Sequence, residues 1–166
     1  MIRQALLGLS RQKKIAEISA NAPITRNVVA RFVAGETEPD AVRAAGELAT
    51  EGLLSTIDHL GEDTLDLAQA TATVDAYLRL LAGIDDAGLA AAAEVSVKLS
   101  AVGQALPGDG EKIALEHARA IAKKAHEIGT TVTLDMEDHT TTDSTLGVLQ
   151  ELRKDFPSTG AVLQAY

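Results

Sequence analysis

The sequence predicts an α/β protein in which a parallel sheet carries helices on its outside, behind an amino-terminal helical arm. Three observations lead there. Four short segments rich in β-branched or apolar residues recur after Gly52 at the ~30–40-residue spacing of βαβ units. A helical stretch lies between each successive pair of them. Before Gly52 the apolar residues recur instead at helical spacing.

In the arm (residues 1–51), Ile2, Ala5, Leu6 and Leu9 fall on one helical face, and Ile15 and Ile18 extend it until Asn21, Ala22 and Pro23 interrupt. A second helix is expected from about Thr25 to Ala34, with Val28, Val29, Phe32 and Val33 on one side and Gly35 at its end. A third starts near Pro39, after the helix-start pair Thr37 and Glu38, and runs to about Glu51 with Val42, Ala45 and Leu48 inward.

Residues 52–166 hold the expected strands: Leu53 to Asp58, Val95 to Ser100, Thr131 to Met136 and Ala161 to Ala165. Leu65, Ala68, Ala72, Leu78 and Leu81 mark the first intervening helix. Ile113, Ala114, His117, Ile121, Ala125 and Ile128 mark the second, with Gly129 just past its end. The third is capped by Asp143, carries Leu146, Leu149 and Leu152, and stops before Pro157.

A doubly wound nucleotide fold would show a Gly-rich phosphate turn after its first strand. The residues after Asp58 are His59, Leu60, Gly61 and Glu62, which make no such turn, and the loop from Gly103 to Gly110 lacks the Lys-Ser/Thr of a nucleoside triphosphate loop. The remaining architecture is a series of βα units of a (β/α)8 barrel. Such a barrel needs eight strands and typically ~250 residues. Four strands are found, and the last reaches Tyr166 without a covering helix. The expectation is the amino-terminal half of a barrel.

Composition narrows the chemistry. Hydrophobic residues make up 46% of the 166, as in an ordinary globular protein. Lys plus Arg number 15 against 24 Asp plus Glu, and a net charge of −9 argues against nucleic acid as a partner. No apolar run approaches the ~20 residues of a membrane-spanning helix, so a cytoplasmic location is the default expectation. With no Cys, thiolate chemistry and Cys-ligated metal sites are excluded. Phe32, Tyr77, Phe156 and Tyr166 are the only aromatic residues, too few for a stacking platform.

Alternation along the strands separates two faces. One collects Thr56 and Asp58; Ser96, Lys98 and Ser100; Thr131, Thr133 and Asp135; Val162 and Gln164. The other, with Leu53, Ile57, Val95, Val97, Leu99, Val132, Leu134, Met136, Ala161, Leu163 and Ala165, is apolar and is expected to pack under the helices. Asp58, Lys98, Asp135 and Gln164 sit at the carboxyl-terminal ends of four different strands, where catalytic groups gather in this architecture. A lysine pointing into a barrel needs a carboxylate, and Asp135 on the next strand is the expected partner. On the residues alone, the pair reads as a ligand site or as an ion pair that closes the barrel.

These segments resemble the proline dehydrogenase family. The resemblance lies in Thr56-Ile57-Asp58-His59-Leu60-Gly61-Glu62, Val95-Ser96-Val97-Lys98-Leu99-Ser100, Thr133-Leu134-Asp135-Met136-Glu137-Asp138 and Val162-Leu163-Gln164-Ala165-Tyr166, with Arg31-Phe32-Val33-Ala34-Gly35-Glu36-Thr37 in the arm. It implies a (β/α)8 barrel that binds FAD non-covalently and oxidises L-proline to 1-pyrroline-5-carboxylate in proline catabolism. It implies that Lys98 contacts the substrate carboxylate, that Asp135 is a catalytic-site residue, and that Met136 and Gln164 contact the flavin. Asp58 and Glu62 match an acidic motif at the mouth of the site, where an arginine from the last helix would close it. The family's later strands, flavin-phosphate contacts and paired substrate-binding arginines have no counterpart in these residues. The expectation is that this chain alone binds FAD weakly or not at all and is inactive.

Two other readings stand beside it. Asp135, Glu137, Asp138 and His139 carry ligand types of a metal-dependent barrel hydrolase. A non-enzymatic half-barrel would pair its open sheet edge with a second copy. His117 and His126 read as packing or surface residues, and Glu62, Asp63 and Asp66 as an acidic helix start. Arg3, Arg11, Lys13 and Lys14 read as a solvated helix face or as a contact with an anionic membrane surface. Because the family delivers electrons to a quinone or another acceptor, the second reading becomes peripheral attachment at the inner face of the cell membrane.

Overall fold

The computed structural model describes residues 33–35, 37–61 and 64–164. The first expected helix, the Arg3, Arg11, Lys13 and Lys14 group, Glu36, Glu62, Asp63, Ala165 and Tyr166 lie outside the described residues. Of the second expected helix only Val33 and Ala34 are described, and they are not helical.

The elements alternate as expected: α1 (Glu38–Thr50), β1 (Ser55–Asp58), α2 (Leu67–Asp86), β2 (Ala93–Val97), a 3-10 turn (Ser100–Val102), α3 (Gly110–Ile128), β3 (Val132–Leu134), α4 (Thr142–Arg153) and β4 (Gly160–Ala161). The four strands pair in sequence order, all parallel. Each crossover moves the chain one strand in the same direction, the progression of a barrel wall, and the sheet is open. Asp58 lies opposite Ser96, Ser96 opposite Thr133, and Leu134 opposite Ala161. In-register parallel pairing brings the carboxyl ends of all four strands to one side.

Local chemistry sets the helix limits. Thr37 caps α1 by accepting from the Asp40 N–H, with Pro39 in the first turn. Asp66 caps α2 by accepting from the Gln69 N–H at 2.9 Å, while the Gln69 side chain accepts from the Leu65 N–H at 3.1 Å. Gly129 closes α3 at φ 83°, a left-handed conformation open to glycine. Gly110 opens α3 against the preceding loop, where an added Cβ would lie 2.7 Å from the Gln104 carbonyl oxygen. The cap of α4 is Thr141, not Asp143; Asp143 sits in the first turn, where its charge still suits the helix dipole.

The core lies between the sheet's outer face and the helices. Val95, Val97, Leu99, Val132 and Leu134 are buried against Val74, Tyr77, Leu81 and Ile84 of α2, Ala114, Ala118, Ile121 and Ala125 of α3, and Val148 and Leu152 of α4. Ala45 of α1 joins the same cluster. Full burial of one such aliphatic side chain contributes about 1.5–3 kcal/mol, more than the ~0.5–1.5 kcal/mol of a ladder hydrogen bond. Packing therefore outweighs pairing in strands this short.

Several expectations on burial are corrected, beginning with Leu48 of α1, which was expected inward and is 39% exposed near the carboxyl end of the helix. The inward stripe of α2 is Ala70, Val74, Tyr77, Leu81 and Ile84, whereas Leu65, Ala68 and Ala72 are exposed. The helix starts only after Asp66, which rotates the stripe away from the expected one. Leu53 and Leu163 are also exposed, since they lie just outside the paired residues of the two edge strands. β3 and β4 are shorter than expected because the chain leaves the ladder near their carboxyl ends, whereas β1 starts two residues late and β2 runs from Ala93 to Val97, ahead of its expected span; Asp135 N–H still donates to Val97 O at 2.9 Å and Val162 N–H to Leu134 O at 2.9 Å. Among the described residues no helix is long and apolar enough to cross a membrane.

Candidate active site

Asp58 is the last residue of β1, Lys98 follows β2 directly, and Asp135 follows β3 directly. Parallel register places the three side by side. Lys98 Nζ lies 2.5 Å from Asp58 Oδ2 and 3.5 Å from Asp135 Oδ2. The lysine side chain is 17% exposed and each carboxylate side chain 30%, so the group is shielded but open to a ligand from one side. Burial pulls the ammonium toward deprotonation; the hydrogen bond and charge of Asp58, with those of Asp135, outweigh it and hold the Lys98 pKa above the usual lysine value. Lys98 is therefore a cation at neutral pH. Two carboxylates against one ammonium leave the trio with one net negative charge.

The expected partner of Lys98 was Asp135; the nearer one is Asp58. The resemblance implies a place for Asp58 at the mouth of the site, and the geometry adds that it is the nearer partner of the lysine. The reason is register: the strand pairing that sets Asp58 opposite Ser96 brings its carboxylate level with Lys98. Gln164 Nε2 lies 3.5 Å from the Met136 carbonyl oxygen, so these two also meet at this end of the sheet, beside Asp135. Glu62 lies outside the described residues.

Supporting groups escaped the sequence reading. Tyr77, buried on α2, sends its hydroxyl to the Ser96 carbonyl at 2.7 Å and to Asp58 Oδ1 at 3.3 Å, and accepts the His59 N–H at 3.3 Å. Burial, with the Asp58 charge beside it, raises the phenol pKa far above its usual value, so Tyr77 stays a donor. Glu137 accepts from the Ser100 hydroxyl at 2.5 Å and from the Ser100 N–H at 3.1 Å, tying the β3 loop to the turn that follows Lys98. On the concave face, Glu94 accepts from Thr56 at 3.0 Å and Thr133 at 3.1 Å, linking three strands one layer below the trio. Glu94 was missed because β2 begins two residues before its expected start. Tyr77 carried a signal that went unused: it stands at i+3 from Val74 and i−4 from Leu81, on the buried stripe.

The metal-ligand set does not assemble. Asp135 faces Lys98, Glu137 holds Ser100, and Asp138 accepts from Thr140 with His139 Nδ1 at 3.1 Å. His117 packs with its Nδ1 2.8 Å from the Val102 carbonyl, and His126 is exposed with its ring against Phe156.

Two hollows open among the described residues, and Asp58 lines one of them. One of about 650 Å3 sits at the amino-terminal ends of the strands, among Leu54, Glu94, His126 and Thr131. The other, also about 650 Å3, runs between α1, α2 and β1 and is lined by Asp58, His59 and Tyr77. Lys98 lines neither. The four described strands supply no wall opposite Lys98 among the described residues, so hollow size is a poor guide here, and the convergence of charged strand ends marks the site better.

Comparison with known proteins agrees with the fold. The family model described as Proline dehydrogenase matches residues 41–166. The chain is 35% identical over its whole length to Proline dehydrogenase 1 of Bacillus subtilis (strain 168), covering 53% of that protein. It is likewise 35% identical to Proline dehydrogenase of Deinococcus radiodurans, again covering 53%. The chain thus spans about half the length of the curated relatives it matches. Among solved structures, proline utilization A from Bdellovibrio bacteriovorus, inactivated by N-propargylglycine, superposes with a TM-score of 0.75 at 25% identity, over 86% of this chain and 17% of that one. Proline utilization A from Corynebacterium freiburgense shares the fold, with a TM-score of 0.67 at 24% identity over 91% of this chain and 16% of that one.

Proposed function

The chain belongs to the proline dehydrogenase family, and from that premise we propose that it supplies the amino-terminal wall of the barrel of an FAD-dependent enzyme oxidising L-proline to 1-pyrroline-5-carboxylate. The observation that carries this reading is the Lys98 ammonium held between Asp58 and Asp135 at adjacent strand ends.

An amide and a backbone carbonyl together present a donor and an acceptor, which suits the pyrimidine edge of a flavin. Gln164 and Met136 are the residues that would hold that edge, with the Lys98 cation nearby. FAD supplies the two-electron acceptor, whose electrons pass on to a quinone or another acceptor. The chain's own groups do the rest. Two hydrogens of the Lys98 ammonium are taken up by Asp58 and Asp135, and the third remains for the carboxylate of proline. Asp135 has the longer contact to Lys98 and is the carboxylate freer to face the ring nitrogen. Oxidation leaves positive charge on that nitrogen, and the net negative trio stabilises charge developing there.

The test uses a barrel of family length carrying these residues, purified with its flavin. Anaerobic addition of L-proline is expected to bleach the flavin absorbance, with 1-pyrroline-5-carboxylate as product. A flavin that stays oxidised under saturating L-proline would overturn the assignment.

A further inference from the structure

Asp58 has two oxygens with two different partners, and the second partner comes from outside the sheet. Oδ2 meets Lys98 at 2.5 Å, while Oδ1 faces the Tyr77 hydroxyl at 3.3 Å. Tyr77 is 1% exposed, rooted in α2 between Val74 and Leu81. Its oxygen is fixed from two further directions by main-chain groups, the Ser96 carbonyl at 2.7 Å and the His59 N–H at 3.3 Å. A rigid ring anchored to two backbone groups is a poor candidate for movement, whereas a partly exposed aspartate rotates readily about its side-chain bonds.

We propose that Tyr77 is a positioning residue: its phenol, carried by α2 on the outer side of the sheet, fixes the rotamer of Asp58 and through it the place of the Lys98 ammonium. The proposal rests on the functional reading above only for its purpose; the linkage itself is a property of this chain. The shorter contact, to Ser96, takes the larger share of the phenol proton. The longer one decides which Asp58 oxygen turns toward α2 and so leaves Oδ2 for the lysine. The charged and titratable groups facing this chain of contacts among the described residues are Asp58 from β1, Asp135 from β3, Tyr77 from α2 and the neighbouring His59 ring, 5.9 Å from that of Tyr77. Without the phenol oxygen, Asp58 loses its outer hold, and its share in keeping Lys98 protonated and shielded declines.

Competitive acetylation of lysines at pH 9 reads this directly, because only the neutral amine reacts, and it needs neither proline nor turnover. In a family-length barrel, labelling of Lys98 is followed by mass spectrometry against the exposed Lys112 of α3 as internal standard. Tyr77→Phe keeps the ring that fills the core. It is expected to raise Lys98 labelling roughly threefold or more, because a less stabilised ammonium leaves more neutral amine at this pH. Asp58→Asn is expected to raise it too, and Tyr77→Phe to add nothing in the Asp58→Asn background. Unchanged labelling in Tyr77→Phe overturns the proposal. So does an equal rise in both backgrounds, which a merely loosened loop would give. Loss of the folded state on removing this single oxygen, read by thermal unfolding, also overturns it, because Tyr77 would then be a core group first. None of these outcomes bears on flavin bleaching, so the proposal and the proposed function fail separately.

Discussion

Lys98→Ala in a family-length barrel lowers kcat/KM for L-proline by roughly 10²–10³-fold, the usual cost of removing one preorganised charged or donor group from an active site. The loss is expected because nothing else among the described residues brings positive charge to this end of the sheet beside Asp58 and Asp135. Stability falls as well. Two carboxylates, each 30% exposed, are left facing one another without their cation. Full burial of such an orphaned charge would cost about 3–5 kcal/mol, and the exposure reduces this to an expected ~1–2 kcal/mol. The pH dependence has a definite sign. The Lys98 pKa is raised on folding, so its contribution is fully present below the ordinary lysine value of 10.5 and is lost as pH climbs through the higher folded value. Denaturant titrations across that alkaline range should show the decline in the parent protein and not in Lys98→Ala. Kinetics within a factor of three of the parent would refute the role given to the lysine.

A polypeptide of these 166 residues by itself is expected to self-associate and to retain no flavin after purification. Among the described residues both edges of the sheet are unpaired, and apolar side chains flank both: Leu54, 80% exposed, beside β1, and Leu163, 80% exposed, beyond β4. Unpaired N–H and C=O groups beside exposed leucines are a template for pairing with another chain. The described residues supply one wall of the proposed flavin site, and Gln164 is exposed. Size-exclusion chromatography with simultaneous absorbance detection checks both parts. Colourless dimers or larger species are expected, and a monomer carrying a full equivalent of FAD would contradict the account.

The alternation of elements was legible in the sequence because it rests on periodicity: β-branched runs such as Val95 to Val97 and the helical stripe of α3 state their own pattern. Lys98, Asp58 and Asp135 could be assigned to strand ends by counting. Which aspartate lies nearer the lysine could not, because that depends on the register between β1 and β2, and register is a tertiary quantity. Tyr77 reaches the site across the sheet from a helix, a contact between residues 19 apart that no local spacing reveals. Glu137 was read as a metal-ligand type from its neighbours in sequence, yet its carboxylate closes onto Ser100, 37 residues away. Leu65 illustrates the opposite error: its hydrophobicity suggested a core position, but the cap at Asp66 starts the helix after it.

The most direct test of the trio is a double-mutant cycle on kcat/KM for L-proline with Lys98→Ala, Asp135→Ala and the two combined. Groups that act as one unit are grossly non-additive. The double variant is therefore predicted to be no worse than about the poorer single one. Losses that multiply, each substitution costing as much in the other's background as alone, would show that Lys98 and Asp135 work independently and would contradict the account.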